Sequence, residues 1–206
     1  MILRGGDQMN RREFNKQETI KHIKSSFILC YDAYGLDKIN INQLCEQCKV
    51  AKSTFYQYFP DKYSVLEEIE EELIDGLVKI FFTKGKRIDL SFLSKNEPVP
   101  EALDVIHFLA QNRNAFKALL GSNGDPSFIT KWHKYIVRSY DELFQNKKQD
   151  TKQRKVAASL FASSLIELYR FYLSDKPRLS DRECALMAGD LLKCFLYDFG
   201  REEVSL

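Results

Sequence analysis

The sequence predicts an all-α protein of about nine helices, a three-helix head followed by a larger helical domain. Three features predict it. Glycine and proline number only 9 and 5 in 206 residues, so helix breakers are spaced widely enough for long helices. Apolar residues recur three and four apart over most of the chain, the spacing of a helix face. Where that pattern stops, the chain carries residues that end or cap helices: Gly35, Asn40, Pro60-Asp61 and Gly121 to Pro126.

In chain order, residues 1–14 read as a disordered arm, because charges interrupt the apolar residues from the start. The first helix covers about Asn15 to Tyr34. Its apolar stripe is Ile20, Ile23, Phe27, Tyr31 and Tyr34, with Lys16, Lys21 and Lys24 on other faces. Gly35 stops it, as glycine does beyond a helix C-terminus. Asn40 caps a second helix, about Ile41 to Cys48, by accepting from a free N–H of its first turn. The third covers about Lys52 to Phe59. Pro60-Asp61 is a turn, and Asp61 is placed to cap a fourth helix from Lys62 through Phe82. Residues 83–100 carry Gly, Pro, Asn and Ser and read as a loop, or a short helix between loops. Pro100 starts the next helix, to about Asn112, and another covers Asn114 to Leu120. Gly121 to Pro126 is a turn. Ser127 to Asn146, Thr151 to Ser174 and Asp181 to Phe199 complete the chain. The head is expected over residues 15–62 and the second domain over 63–206.

The stretch from Asn40 to Lys62 carries the most chemistry. Phe55 and Phe59 lie four apart and point inward, and Val50 plugs the gap between two short helices. Lys52, Ser53, Thr54, Tyr56 and Tyr58 are left for the outer side. One cation, two small hydroxyls and two phenols on a second, recognition helix suit the major groove. The run V-A-K-S-T-F-Y-Q-Y-F-P-D-K resembles the signature of the TetR/AcrR family of bacterial transcriptional regulators, over about fifty residues through Leu66. Two positions depart from that pattern. Lys49 stands where the family usually has glycine, so a left-handed turn there would carry a small strain. Ala51 replaces the usual Ser, so the recognition helix lacks a side-chain cap.

The resemblance implies contacts to double-stranded DNA. Lys52, Ser53, Thr54 and Tyr56 are placed for base edges. Asn40, Asn42 and Gln43 stand at the start of the second helix, and Tyr56, Tyr58 and Lys62 at phosphates, Lys62 also standing where free N–H groups favour an anion. Lysine can donate to guanine, whereas hydroxyls are less selective. Phosphate contacts make such binding fall steeply with salt.

Composition narrows the alternatives. The net charge of +2 says little, but residues 1–62 carry ten Lys/Arg against seven Asp/Glu. The acidic run that follows, Glu67, Glu68, Glu70, Glu71, Glu72 and Asp75, reads as a solvated helix face. No run of eighteen apolar residues indicates a membrane span, and a cytoplasmic protein is expected. Five cysteines, an odd number, argue against a disulfide framework. Cys45 and Cys48 read as small packing residues, with thiol sensing as the alternative. A metal there would need two more ligands, and His22 is the only histidine nearby. Cys184 and Cys194 read as packing residues near a dimer seam. No glycine-rich phosphate loop, HExxH or GxSxG is present, so neither catalysis nor a cofactor or metal is expected.

The second domain is rich in aromatics that read mostly as core. His107, Phe108, Gln111, Trp132, His133, Tyr140 and Glu167 are the groups that could line and orient a small-molecule ligand. The last two helices are apolar on more than one side and so need burial on more than one side. Leu160, Ser164, Leu168, Phe171, Leu191, Phe195 and Phe199 are the expected homodimer seam, and a two-fold dimer suits a palindromic operator. Asn112 to Gly121, followed by Asn123 to Phe128, is similar to a Gram-positive subgroup of TetR-type proteins that includes regulators of dihydroxyacetone-kinase operons. Together these resemblances imply a homodimeric repressor released from its operator by an unknown small molecule. The alternative is a TetR-fold activator or adaptor that answers to a partner protein.

Overall fold

The computed structural model describes residues 11–82, 91–95, 97–143, 151–174 and 179–197. Helix α1 is Arg11–Tyr34, α2 Ile41–Cys48, α3 Lys52–Tyr58, α4 Lys62–Phe82 and α5 the single turn Ser91–Ser94. Then come α6 Pro100–Gln111, α7 Arg113–Leu120, α8 Pro126–Leu143, α9 Thr151–Leu173 and α10 Asp181–Tyr197. There are no strands among the described residues, and α5 aside the helices number nine. The all-α expectation holds. The chain divides into two compact units between Ile69 and Glu70, inside α4.

In the first unit, α1 is longer than expected. Arg11 to Phe14, assigned above to the arm, are helical, because neither Gly nor Pro stands between Arg11 and Asn15 and Arg, Arg and Glu are good helix formers. Ile23, Phe27, Ile28 and Tyr31 are its buried face, while Tyr34 at its end is exposed. Gly35 ends α1 with φ 75°, and its N–H donates to the Tyr31 carbonyl at 2.9 Å. A one-turn 3-10 helix, Leu36–Lys38, leads to Asn40. Leu44, Cys45 and Cys48 turn inward from α2, and Phe55 and Phe59 are at most 1% exposed. Each of those two rings contributes roughly 1.5–3 kcal/mol of burial free energy.

The second unit has α9 at its centre, packed against α7, α8 and α10, with α6 against α10. Phe116, Phe128, Trp132 and Tyr169 form its aromatic core, all 3% exposed or less. Trp132 stacks on Tyr169 at 5.6 Å with the planes 7° apart and meets Phe116 at 5.4 Å. By length and composition the stretch Lys152–Leu173 could cross a membrane. It packs instead between α8 and α10, with 56% of its most apolar window buried, as the central helix of a helical core does.

Two charged residues correct the sequence reading. Lys24 was placed on a face other than the apolar stripe. It is buried, and its Nζ donates to Glu68 Oε1 at 2.9 Å. The acidic run is not uniformly solvated either. Glu67, Glu71, Glu72 and Asp75 are exposed, but Glu70 is 3% exposed and accepts from Lys131 Nζ at 2.8 Å. Both carboxylates found a lysine far away in sequence, which no charge count along α4 could show.

Candidate nucleic-acid interface

Local chemistry sets the geometry of α2 and α3. Asn40 Oδ1 accepts from the Asn42 N–H at 2.8 Å, satisfying one of the donors a helix start leaves free. At the other end of α2, Lys49 is left-handed, with φ 55° and ψ 38°. It is the one non-glycine residue with positive φ among those described. The Val50 N–H closes back on the Cys45 carbonyl at 3.0 Å, which holds the strained residue in place. Ala51 is the N-cap of α3 and offers no side-chain bond.

The exposed arc of α3 consists of Lys52, Ser53, Tyr56 and Gln57, while Thr54 and Tyr58 are half-buried on its flanks. Sequence reasoning had passed over Gln57. The helical wheel was the signal, since Gln57 follows Ser53 by four residues. Tyr56 stands edge-on against the buried Phe55 ring at 5.4 Å, which fixes its direction. The Lys52 ammonium lies 6.0 Å from the Tyr56 ring centre, a cation–π distance. Asn40, Asn42 and Gln43 are exposed at the start of α2.

Lys62 is employed differently from the other polar residues of this region. Its Nζ donates to the carbonyls of Leu36 at 2.9 Å, Asp37 at 3.0 Å and Ile39 at 3.2 Å. Those three bonds match the three protons of an ammonium. Asp61 caps α4 as expected, its Oδ1 accepting from the Ser64 N–H at 2.8 Å.

The head thiols point to packing. Burial pushes Cys45 and Cys48 up, and Cys30, whose thiol donates to Gln47 Oε1 at 2.9 Å, is also raised chiefly by burial. A raised thiol is the inert kind. Among the described residues no group of three or more His, Cys, Asp or Glu could hold a metal.

The residues assigned above to a ligand are dispersed over the second unit. Phe108 and Trp132 both touch Phe116, at 5.9 and 5.4 Å. Tyr140 donates to the Phe195 carbonyl at 3.0 Å and packs on Phe161. His133 Nε2 lies 3.2 Å from the Ser159 carbonyl and 3.3 Å from Ser163 Oγ. His107 Nε2 is 3.9 Å from Asp181, and Gln111 and Glu167 are exposed. Of the seam residues, Leu160 and Phe171 are exposed at 46% and 43%, as are their α9 neighbour Val156 and Met187 of α10. Ser164, Leu191 and Phe195 are half-buried, Leu168 is buried, and Phe199 lies outside the described residues. Cys184 is buried, its thiol pushed up to about 12 by desolvation, and Cys194 is exposed.

Known proteins share this architecture. Residues 30–69 match the family model for bacterial regulatory proteins of the tetR family. Residues 96–194 match one for a transcriptional regulator C-terminal region. An uncharacterised HTH-type transcriptional regulator of Bacillus subtilis (strain 168), YxbF, is 24% identical over 99 residues. Those residues are 48% of this chain and only 25% of that relative's length. The TetR transcriptional regulator from Streptococcus agalactiae 2603V superposes with a TM-score of 0.60 at 21% identity, covering 92% of this chain and 98% of its own. The dihydroxyacetone kinase operon activator DhaS superposes at 0.53 with 15% identity, over 88% of this chain and 96% of its own. At that identity the likeness is one of fold, so the expected place in a dihydroxyacetone-kinase subgroup has no further support. With both of its units matched, the head by the tetR family itself, the chain belongs to the tetR family of transcriptional regulators and carries that family's DNA-binding helix-turn-helix.

Proposed function

We propose that the chain acts as a homodimeric repressor that a small molecule releases from a palindromic operator. The exposed arc of α3 carries this reading: a cation, a hydroxyl, a phenol and an amide stand outward over the buried Phe55 and Phe59. Lys52 and Gln57 are the groups suited to base edges, Lys to guanine and Gln to adenine. Ser53 and Thr54 supply less selective hydroxyls, and Tyr56, Tyr58, Asn40, Asn42 and Gln43 bond to phosphate or the groove edge. Dimerisation uses the exposed apolar stripe of α9 and its neighbours on α10, since Val156, Leu160, Phe171 and Met187 are apolar side chains left in solvent by one protomer.

Release runs through α4, which starts in the head and continues in the second unit. Gly76 of α4 lies so close to the Phe108 ring that a Cβ there would overlap it. Phe108 in turn packs edge-on against Phe116 of the core. A ligand that displaces Phe108 therefore bears directly on α4. It needs only to bind the released state more tightly than the DNA-competent one.

The test is a gel shift of the purified protein on the DNA upstream of its own coding region, over a salt series. A salt-sensitive, sequence-specific shift by a dimer supports the proposal. A folded dimer with no specific shift on any upstream or selected sequence overturns it.

A further inference from the structure

We infer that Lys62 acts as an internal clasp that positions the DNA-facing start of α2, and not as a phosphate ligand. The inference rests on the proposed use of α2 and α3 on DNA and adds a positioning residue to it. Lys62 is the first residue of α4, and its ammonium reaches back more than twenty residues to the 3-10 turn after α1. There it meets three carbonyls, those of Leu36, Asp37 and Ile39, at 2.9 to 3.2 Å. Ile39 is buried, and the next residue is Asn40, the cap of α2. The start of α2, with Asn40, Asn42 and Gln43, is thus tied through one ammonium to the first residue of α4, the helix that follows α3.

The geometry suits lysine in particular. Three carbonyl oxygens converging on one point match a compact ammonium with three protons. A planar guanidinium spreads its donors outward and cannot satisfy the three together. A phosphate has the opposite preference and takes arginine as well as lysine, in a bidentate pair. The chain also supplies the compensation: the carbonyls after α1 form the negative end of a short helical turn, where a cation is favoured. With its protons committed there, Lys62 brings no free donor to a phosphate.

The test has two readouts on Lys62→Met and Lys62→Arg in the full chain. Amide exchange of the free protein, without DNA, reports the clasp directly. Exchange at Ile39, Asn42 and Leu44 should accelerate at least tenfold in both variants while α1 stays protected. Binding to sheared mixed-sequence DNA over a salt series reports phosphate contacts, each worth about 0.9 in the log–log slope. Affinity should fall in both variants with the slope unchanged. Unaltered exchange in Lys62→Met overturns the clasp whether or not the protein binds DNA. So does a slope shallower by about one unit that Lys62→Arg restores, which is the signature of a phosphate contact. If Lys62→Met does not fold, Lys62→Arg carries both readouts alone: faster exchange supports the clasp and wild-type exchange overturns it. Failure of the regulator reading would leave the exchange experiment standing, so the two failures are distinguishable.

Discussion

The head and the second unit use their aromatic residues in opposite ways. In α3, Phe55 and Phe59 go inside while Tyr56 stays 47% exposed, its polar end available to a partner. In the second unit Phe116, Phe128, Trp132 and Tyr169 are spent on one another, ring against ring. The difference teaches where function is readable. A surface that meets a regular partner such as the DNA groove leaves its recognition groups outside, in one short helix. If the second unit encloses a small molecule, as proposed, its specificity is hidden among residues that also serve as core.

Four substitutions probe that contrast. Trp132→Ala carries the largest effect, because it removes a fully buried ring from the centre of the aromatic core. A loss of about 3–5 kcal/mol is expected, read by chemical denaturation followed by circular dichroism. A loss under about 1 kcal/mol would mean that the core is loosely packed and already has room for a ligand. Tyr56→Ala should leave stability nearly unchanged and weaken operator binding by about 1–3 kcal/mol, roughly five- to 150-fold. Binding at wild-type strength would remove α3 from the groove.

Glu70→Gln comes next. The Glu70 carboxyl is held above its ordinary range by burial, which the hydrogen bond from Lys131 only partly offsets and the nearby Asp125 reinforces. Its Oε1 is buried without a donor. Because the folded pKa lies above the unfolded one, this group's stability contribution is full below the unfolded value and is lost as pH rises through the folded value. The glutamine variant removes that loss and can donate where Glu70 cannot. Near neutral pH it should be more stable than wild type by on the order of 1 kcal/mol, the cost of a buried acceptor left without a donor, with a flatter profile in urea melts between pH 4 and pH 7. The smallest effect belongs to Lys49→Gly. Relief of the left-handed strain at φ 55° should stabilise the head by up to about 1 kcal/mol. A loss of stability would show that the Lys49 side chain makes a contact worth more than the strain.

Helix α2 and the turn after it were legible because their determinants are local. Asn40 caps its own first turn and Ala51 cannot cap, as the residue types imply, and Lys49 occupies a site that prefers glycine, as the family resemblance implies. Gln57 was legible in principle and missed. The start of α1 was missed although the sequence offers a signal for it: Asn10, a residue type that favours helix starts, directly precedes Arg11, and Glu13 follows three residues on. The buried state of Glu70 and Lys24 was not legible at all, since a carboxylate in a run of carboxylates looks solvated until the fold brings a lysine to it. The dispersal of His107, Gln111, His133 and Glu167 has the same cause: polar residues on different helices share a site only if packing turns them toward one another.

What the sequence by itself determined is the helical fold, the caps that punctuate it and the short motif that types the head. Those depend on spacing along one helix and on side chains bonding their own backbone. What only the tertiary structure decided is the partner of each long-range charge. Lys62 reaches the carbonyls of Leu36, Asp37 and Ile39, Lys24 reaches Glu68, and Lys131 reaches Glu70. A flexible, charged side chain can satisfy itself with water, a phosphate, a carboxylate or a carbonyl. Which one it meets is set by the helices that packing brings within reach, and that information is not carried by any local stretch of the chain.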